Sequence, residues 1–449
     1  MKKILAPFRF RGGVHPAYNK ELSNAGAVTP LPVPAQVAVP LLQHLGAPAT
    51  ALVEVGDTVK RGQPIGAAAG FISAAVHAST SGTVKAIEGR PTAVGRTCPH
   101  VIIEADGQDE RADPYEPWPD WEKRSGKEIV ARVAEAGIVG MGGAGFPTHV
   151  KLSPPPDKPI DTLIINGAEC EPYLTSDHRT MVEHAQELWE GCRILRHILQ
   201  VGKVRIAIEA NKPDAIEALR QAIGETDDDV AVVELETLYP QGSEKQQIYA
   251  ITGREVPSSG LPMDVGCLVE NVGTTYAIWN AVVNGYPLDE RIVTVTGRGV
   301  PQPRNYRVRV GTTFEDLLVA SGGMLDNVAK VIAGGPMMGF AQHTMEVSVT
   351  KTTSGILALP KTEVQFFTSQ PCIGCGRCND ACPMCLLPSE MALCIEADDI
   401  PAAEALNLMD CFECGSCAFV CPAHRPLVQH MRRAKAAVML KRRLEKTKS

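Results

Sequence analysis

No stretch of this 449-residue chain approaches the roughly 18 consecutive apolar residues that a membrane-spanning helix needs. The opening, Met1-Lys2-Lys3-Ile4-Leu5-Ala6-Pro7, is too short in apolar residues to act as a secretory signal. The chain therefore reads as soluble by itself or peripheral to a membrane. Disulfide spacing is missing too. Of the 14 cysteines, Cys98, Cys170, Cys192, Cys267, Cys385 and Cys394 show no paired separation, which suits free thiols in a reducing cytoplasm. The length exceeds the about 250 to 300 residues at which single cores stop growing, so several domains are expected, and a 44% apolar content is ample to fill them. A net charge of -7 hides one basic end: residues 425–449 hold nine Lys or Arg and one acid. That tail either touches a partner or anionic lipid headgroups, or is a solvated helix end.

The remaining eight cysteines are what the sequence has in abundance. Cys372, Cys375, Cys378 and Cys382 precede Pro383, and Cys411, Cys414, Cys417 and Cys421 precede Pro422, so C-x2-C-x2-C-x3-C-P occurs twice. This is the bacterial ferredoxin pattern, in which three thiolates wrap one face of a [4Fe-4S] cube and the fourth, carried off by the turn at proline, reaches the other cluster. The expected ligand sets are therefore crossed: Cys372, Cys375, Cys378 and Cys421 on one cube, Cys411, Cys414, Cys417 and Cys382 on the other. Structural zinc also uses C-x2-C pairs, but two four-membered runs suit it poorly.

Upstream, residues 1–28 contain Gly12-Gly13-Val14-His15-Pro16 and no clear periodicity; the His beside Pro reads as part of a turn. Over 30–105, short apolar runs alternate with Gly and Pro, which argues for many short strands. Residues 51–66 and 77–87 resemble the two halves of a biotinyl/lipoyl-type barrel-sandwich domain. The connection between them, 67–76, has no Lys, so no prosthetic group is expected to swing from it. Residues 113–121 read as a Pro- and Trp-rich linker. A helix over 127–136 runs into Gly140-Met141-Gly142-Gly143-Ala144-Gly145-Phe146-Pro147-Thr148-His149-Val150-Lys151. The G-x-G-x-x-G within it lacks the strand before and long helix after that a dinucleotide fingerprint requires, yet its backbone N–H groups can cradle a phosphate with help from Lys151. A strand over 162–166 delivers Asn166-Gly167-Ala168-Glu169-Cys170-Glu171-Pro172 to a loop at its carboxyl end, where open α/β sheets bind ligands. Helix 177–199, strand 204–209, helix 213–223 and strand 230–235 follow as α/β units, then Gly242-Ser243-Glu244 and a helix near 274–284.

At this point a resemblance becomes specific. The 142–148 string with Lys151, the Asn166, Glu169, Glu171 loop and the Gly242-Ser243-Glu244 turn resemble the FMN- and NADH-binding signatures of the flavin subunit of respiratory complex I. With the Gly-Gly-Val-His-Pro segment, the barrel-sandwich piece and the two ferredoxin runs, residues 8–435 resemble the RnfC (RsxC) family, found in the Rnf electron-transport complex. Two positions depart from the pattern: Ala168 stands where the complex I loop has an acid, and Cys385 where Gly is expected. The resemblance implies a multidomain α/β protein: segment and barrel-sandwich domain at 1–112, a Rossmann-like FMN/NADH domain at 113–290, a β-grasp domain at 291–350, and an α-helical two-cluster ferredoxin-like domain with a basic helix at 351–449.

It also implies chemistry. NADH yields two electrons as hydride and an iron–sulfur cube accepts one, so a flavin between them converts two to one. Expected cofactor contacts are Gly140, Gly142, Gly143, Ala144, Gly145, Phe146, Thr148 and Lys151, with Asn166 and Glu169 toward flavin or ribose hydroxyls and Glu171 and Glu244 orienting the dinucleotide. For any single Glu, an N-cap or a solvated loop position is the plain alternative. No acid–base dyad is required. Expected partners are NAD(H), an iron–sulfur subunit and integral membrane subunits, on the cytoplasmic side of a bacterial inner membrane, with no nucleic acid. The alternatives are a flavin/iron–sulfur cobalamin reductase and a non-catalytic electron-wiring subunit.

Overall fold

A computed structural model describes residues 4–225 and 229–448. Met1, Lys2 and Lys3 of the opening, and Ser449 at the end of the basic tail, lie outside the described residues. Apolar runs such as Leu163-Ile164-Ile165 and Ile206-Ala207-Ile208 are what a parallel strand covered on both faces requires, and they form the middle of a five-stranded parallel sheet. Its order is Ile4–Leu5, Val230–Leu235, Lys203–Glu209, Thr162–Gly167, Cys267–Asn271. Alternate residues serve opposite faces. Leu163, Ile165, Ile206 and Ile208 pack under the helices Gly126–Glu135, Ala185–Leu199, Pro213–Ile223 and Val272–Val283; Ile164, Ala207 and Val233 pack against the helix Glu244–Thr252.

The helix expected over 177–199 is two helices, Ser176–Glu183 and Ala185–Leu199. Between them His184 leaves helical dihedrals (φ -127, ψ 36), and its ring lies 4.6 Å from that of Tyr276 and 3.1 Å from the Arg307 guanidinium. Tertiary contacts override the continuous helical period there.

Two further sheets pack the barrel-sandwich region: Gln36–Pro40, Thr97–Ala105, Gly82–Pro91 and Thr58–Val59 in one, and Thr50–Ala51, Pro64–Ala67 and Val76–His77 in the other. Between them lies a core including Val37, Val39, Val59, Ile65, Val84 and Ile103. A six-stranded sheet then runs in the order Phe340–Ala341, Val328–Ala333, Gly355–Pro360, Glu290–Thr296, Arg304–Arg309, Thr29–Pro30. Its strand Gly355–Pro360 is fully buried and falls inside the 351–449 span expected to be the helical cluster domain. Two strands from the first 30 residues thus join other domains: Ile4–Leu5 edges the parallel sheet and Thr29–Pro30 edges this one.

The C-terminal part is helical. Short helices Arg377–Asp380, Pro388–Glu396, Ile400–Ala405 and Ser416–Phe419 gather round the long helix Leu427–Lys448 on a core of Met391, Ile395, Ala403, Leu408, Leu427 and Met431. Among the described residues no helix is long and apolar enough to cross a membrane.

Candidate functional site

The Gly-rich loop is pinned at its ends and open in its middle. An antiparallel bridge joins Val139 to Pro147, the Gly140 N–H donates to the Phe146 carbonyl (2.9 Å), and the Met141 N–H donates to Thr274 Oγ1 (2.9 Å). Gly145 must be glycine: φ is +71°, and a Cβ would lie 2.8 Å from the Thr352 methyl group. Gly142, Gly143 and Ala144 are exposed, and nothing lies within 4 Å of a Cβ placed on Gly143. Gly142 faces the Asn271 side chain, which would stand 2.8 Å from such a Cβ. Buried Thr148 Oγ1 has no partner within the chain.

Lys151 and Glu244, two of the residues singled out by sequence, meet here. Lys151 Nζ lies 2.6 Å from Glu244 Oε1 and 4.0 Å from Glu270 Oε2. Burial alone would lower the Lys151 pKa, but the Glu244 and Glu270 charges outweigh it and raise the pKa. Burial raises the Glu270 pKa, with the Lys151 charge opposing.

The singled-out residues at the end of Thr162–Gly167 and in the loop after it are committed within the protein. Asn166 Nδ2 donates to the Gly242 carbonyl (2.8 Å) and its Oδ1 accepts from Gln247 (2.7 Å). The Glu169 carboxylate accepts from the Asp177 and His178 amides (2.8 and 3.2 Å), capping the helix Ser176–Glu183. Glu171 Oε1 accepts from the Met337 and Met338 amides (2.6 and 3.1 Å), fastening a turn of the six-stranded sheet to this loop.

Sequence reasoning missed Asn271, Thr274 and Asp177. Asn271 Oδ1 accepts from the Gly273 N–H (2.8 Å), starting the helix Val272–Val283, while its Nδ2 donates to Asp177 Oδ2 (2.7 Å). The Asp177 carboxyl is pushed up to about 7 by burial and then by the Glu169 charge. Met141, Asp177, Gly273, Tyr276 and Arg291 line one cleft beside the loop. An Asn directly after an apolar strand and before Val-Gly-Thr-Thr was the available signal, an N-cap at a sheet's carboxyl edge.

The two cysteine runs fold alike. Gly374 and Gly376 take φ of 66° and 75°; at the same offsets in the second run, Glu413 and Gly415 take 63° and 85°. Cys385 (φ 53°) and His424 (φ 49°) are likewise equivalent, and their amides donate to the carbonyls of Cys382 and Cys421 at 3.1 Å each. Cys385 therefore occupies a left-handed turn position, which explains the expectation of Gly there, and it is exposed. Cys382 lines one cavity together with Cys411, Cys414 and Cys417. Cys378 is buried, Cys421 half-buried, and Cys372 and Cys375 exposed. Among the described residues no three His, Cys, Asp or Glu groups stand close enough to hold a single metal ion.

The cavity of Cys382, Cys411, Cys414 and Cys417 is joined to the parallel-sheet domain. Tyr239 Oη donates to the Cys414 carbonyl (2.7 Å) and Gln246 Nε2 to the Pro383 carbonyl (3.0 Å). The Gly12-Gly13-Val14 segment lies in the same seam. The Gly13 amide donates to the Ala381 carbonyl (3.0 Å), Val14 bridges to Tyr239, and a Cβ on Gly12 (φ +73°) would sit 2.7 Å from the Cys382 carbonyl oxygen.

Family models match the chain in three places: the RnfC barrel sandwich hybrid domain over residues 8–108, the Nuo51 FMN-binding domain over 133–280, and the SLBB domain over 292–341. The chain is 47% identical to the RnfC protein of the proton-translocating ferredoxin:NAD(+) oxidoreductase complex of Clostridium ljungdahlii, over 95% of this chain and 93% of that one. It belongs to the RnfC family. Other members align over similar spans. The RnfC protein of the Na(+)-translocating ferredoxin:NAD(+) oxidoreductase complex of Acetobacterium woodii is 45% identical, covering 97% of this chain and 98% of its own. That of the ion-translocating oxidoreductase complex of Rhodobacter capsulatus is 43% identical, covering 96% and 83%. Within the RnfC frame, the residues 133–280 matched as FMN-binding contain the Gly-rich loop, Lys151, the Asn166 loop, Glu244 and Asn271 described above.

Proposed function

We propose that this chain is the NAD(H)-facing subunit of a membrane-bound ferredoxin:NAD oxidoreductase of the Rnf type, passing electrons between NAD(H), FMN and two [4Fe-4S] clusters. It sits peripherally on the cytoplasmic side of a bacterial inner membrane, beside an iron–sulfur subunit and integral membrane subunits that move the coupled ion. A bound flavin supplies the step between two-electron hydride and one-electron transfer.

The donor set fits that group. Exposed Gly142, Gly143 and Ala144 present a backbone free of side-chain obstruction, Lys151 brings a cation to its edge, and Thr148 Oγ1 is an unsatisfied buried hydroxyl. Gly140, Gly145 and Phe146 hold the loop's ends, while Asn166, Glu169, Glu171 and Glu244 shape the loops that face it. On the cluster side, Cys411, Cys414, Cys417 and Cys382 hold one cube and Cys372, Cys375, Cys378 and Cys421 the other. The observation that carries the reading is that Cys382 lines one cavity with Cys411, Cys414 and Cys417, a cavity hydrogen-bonded through Tyr239 and Gln246 to the flavin domain.

The test is anaerobic reconstitution followed by visible and electron spin resonance spectra before and after NADH. About eight irons with eight labile sulfides are expected, with flavin bleaching and a reduced-cluster signal on NADH addition. Zinc without sulfide would remove the cluster reading; intact clusters that NADH does not reduce would assign the chain to passive electron wiring.

A further inference from the structure

Lys20 takes no part in the site so far described. It sits on a single turn, Lys20–Leu22, in the aperiodic N-terminal segment and outside the residues matched as FMN-binding. Its side chain nevertheless reaches the flavin domain. Nζ donates to the carbonyls of Glu169 (2.8 Å), Glu171 (3.0 Å) and Leu174 (2.6 Å), so all three ammonium donors go to one loop. The residue is only 7% exposed.

The loop it grips is one that does not hold its shape unaided. Glu169 (φ 40°) and Tyr173 (φ 69°) lie in the left-handed region that L side chains rarely adopt. A second buried ammonium closes on the same stretch: Lys212, fully buried, donates to the Ala168 carbonyl (2.7 Å) and pairs with Glu209 (2.8 Å). The carbonyls of residues 168, 169, 171 and 174 are thus turned inward onto two cations. With them so turned, the Glu169 carboxylate faces the start of the helix Ser176–Glu183 and that of Glu171 faces Met337 and Met338. Burial disfavours the Lys20 ammonium and lowers its pKa, with the Glu169 charge opposing; a group placed there at such cost is placed for its charge and its three donors.

We propose that Lys20 is a positioning residue for the flavin seat: an ammonium supplied by the N-terminal segment that fixes residues 169–174 in the arrangement their part in FMN binding requires, and adds buried positive charge beside it. This rests on the reading that FMN is held by the Gly-rich loop and the strand end at Asn166. Lys20 acts through the loop.

The experiment uses the full chain with Lys20→Met and the milder Lys20→Gln, which keeps two donors on one nitrogen and carries the comparison if the methionine variant fails to fold. Hydrogen exchange of the FMN-free protein reads the loop, quenching of flavin fluorescence reads FMN affinity, and a redox titration reads the bound flavin. Faster exchange confined to residues 169–178 is expected, with an FMN dissociation constant raised about tenfold or more in Lys20→Met, from the loss of charge-assisted hydrogen bonds. A lower flavin midpoint potential is also expected, because a positive charge favouring electron uptake is gone; Lys20→Gln should fall between. Unchanged exchange at 169–178, unchanged FMN affinity, or exchange accelerated equally across the chain would overturn the proposal. Failure of the native chain to bind FMN would overturn the flavin reading instead, and the exchange comparison would still judge the clamp.

Discussion

Replacing Lys151 by methionine separates two roles of one ammonium. Its neighbours differ sharply: the Glu244 side chain is 45% exposed and can hydrate when left alone, whereas that of Glu270 is 1% exposed and its Oε2 has no hydrogen-bond partner. At the observed 4.0 Å, and an effective dielectric near 20, the Lys151–Glu270 attraction is about 4 kcal/mol. The full amount is not lost, because Glu270 can take up a proton instead. Starting from the ordinary value of 4.5, staying neutral at pH 7 costs about 3.4 kcal/mol, at about 1.4 kcal/mol per pH unit. The smaller number is the ceiling, and because the Glu270 pKa is already raised in the native chain, Lys151→Met should lower stability at pH 7 by less than about 3 kcal/mol. The sign of the pH dependence follows. In the variant the folded form binds the extra proton, so its stability falls as pH rises above 4.5 and approaches that of the native chain as pH falls toward 4.5. Urea unfolding followed by tryptophan fluorescence suits the measurement, since Trp118, Trp121, Trp189 and Trp279 all pack on the flavin-domain core. Adding Glu270→Gln should restore stability at pH 7 but not FMN binding. A loss of stability independent of pH, or FMN binding recovered by the second substitution, would refute the reasoning.

Three other outcomes are expected. Cys382→Ser should remove the cluster of Cys411, Cys414 and Cys417, whose cavity Cys382 lines, and leave the other cube; iron analysis and spin resonance of this variant and of the Cys382→Ser, Cys385→Ser pair show whether exposed Cys385 substitutes. Gly143→Asp should abolish FMN retention with unfolding unchanged, because its side chain enters open space, whereas Gly142→Ala should cost about 1 to 3 kcal/mol through contact with Asn271. Lys351 donates to the Ala75 and Gly137 carbonyls (2.6 and 2.7 Å), and burial pushes its pKa from 10.5 down to about 7. The unfolded chain then binds more protons between about 7 and 10.5, so native stability should rise with pH across that window. Lys351→Met should abolish that rise, which unfolding curves at several pH values will show.

The parts of this protein that follow from local rules were legible in its sequence. Both cysteine runs encode their own winding, which is why left-handed residues recur at the same offsets in each. Apolar strands buried on both faces announced the parallel sheet. What escaped depends on distant partners. Gly355–Pro360 reads from sequence as part of the helical cluster domain because its partners, Val328–Ala333 and Glu290–Thr296, are set by the fold and not by its own period. The two-residue strands Ile4–Leu5 and Thr29–Pro30 are too short to show any alternation. Lys20 carried no signal at all, since a lone Lys among loop residues reads as surface until the carbonyls it serves are brought to it.

The N-terminal thread touches the parallel sheet at Ile4, the seam beside Cys382 at Gly12 and Gly13, the flavin loop at Lys20 and the six-stranded sheet at Thr29. Residues 4–29 therefore meet some of their partners only after the chain has been made through Cys382. Contacts this remote close late and slowly. The seam beside Cys382 is therefore among the last parts of the fold to close.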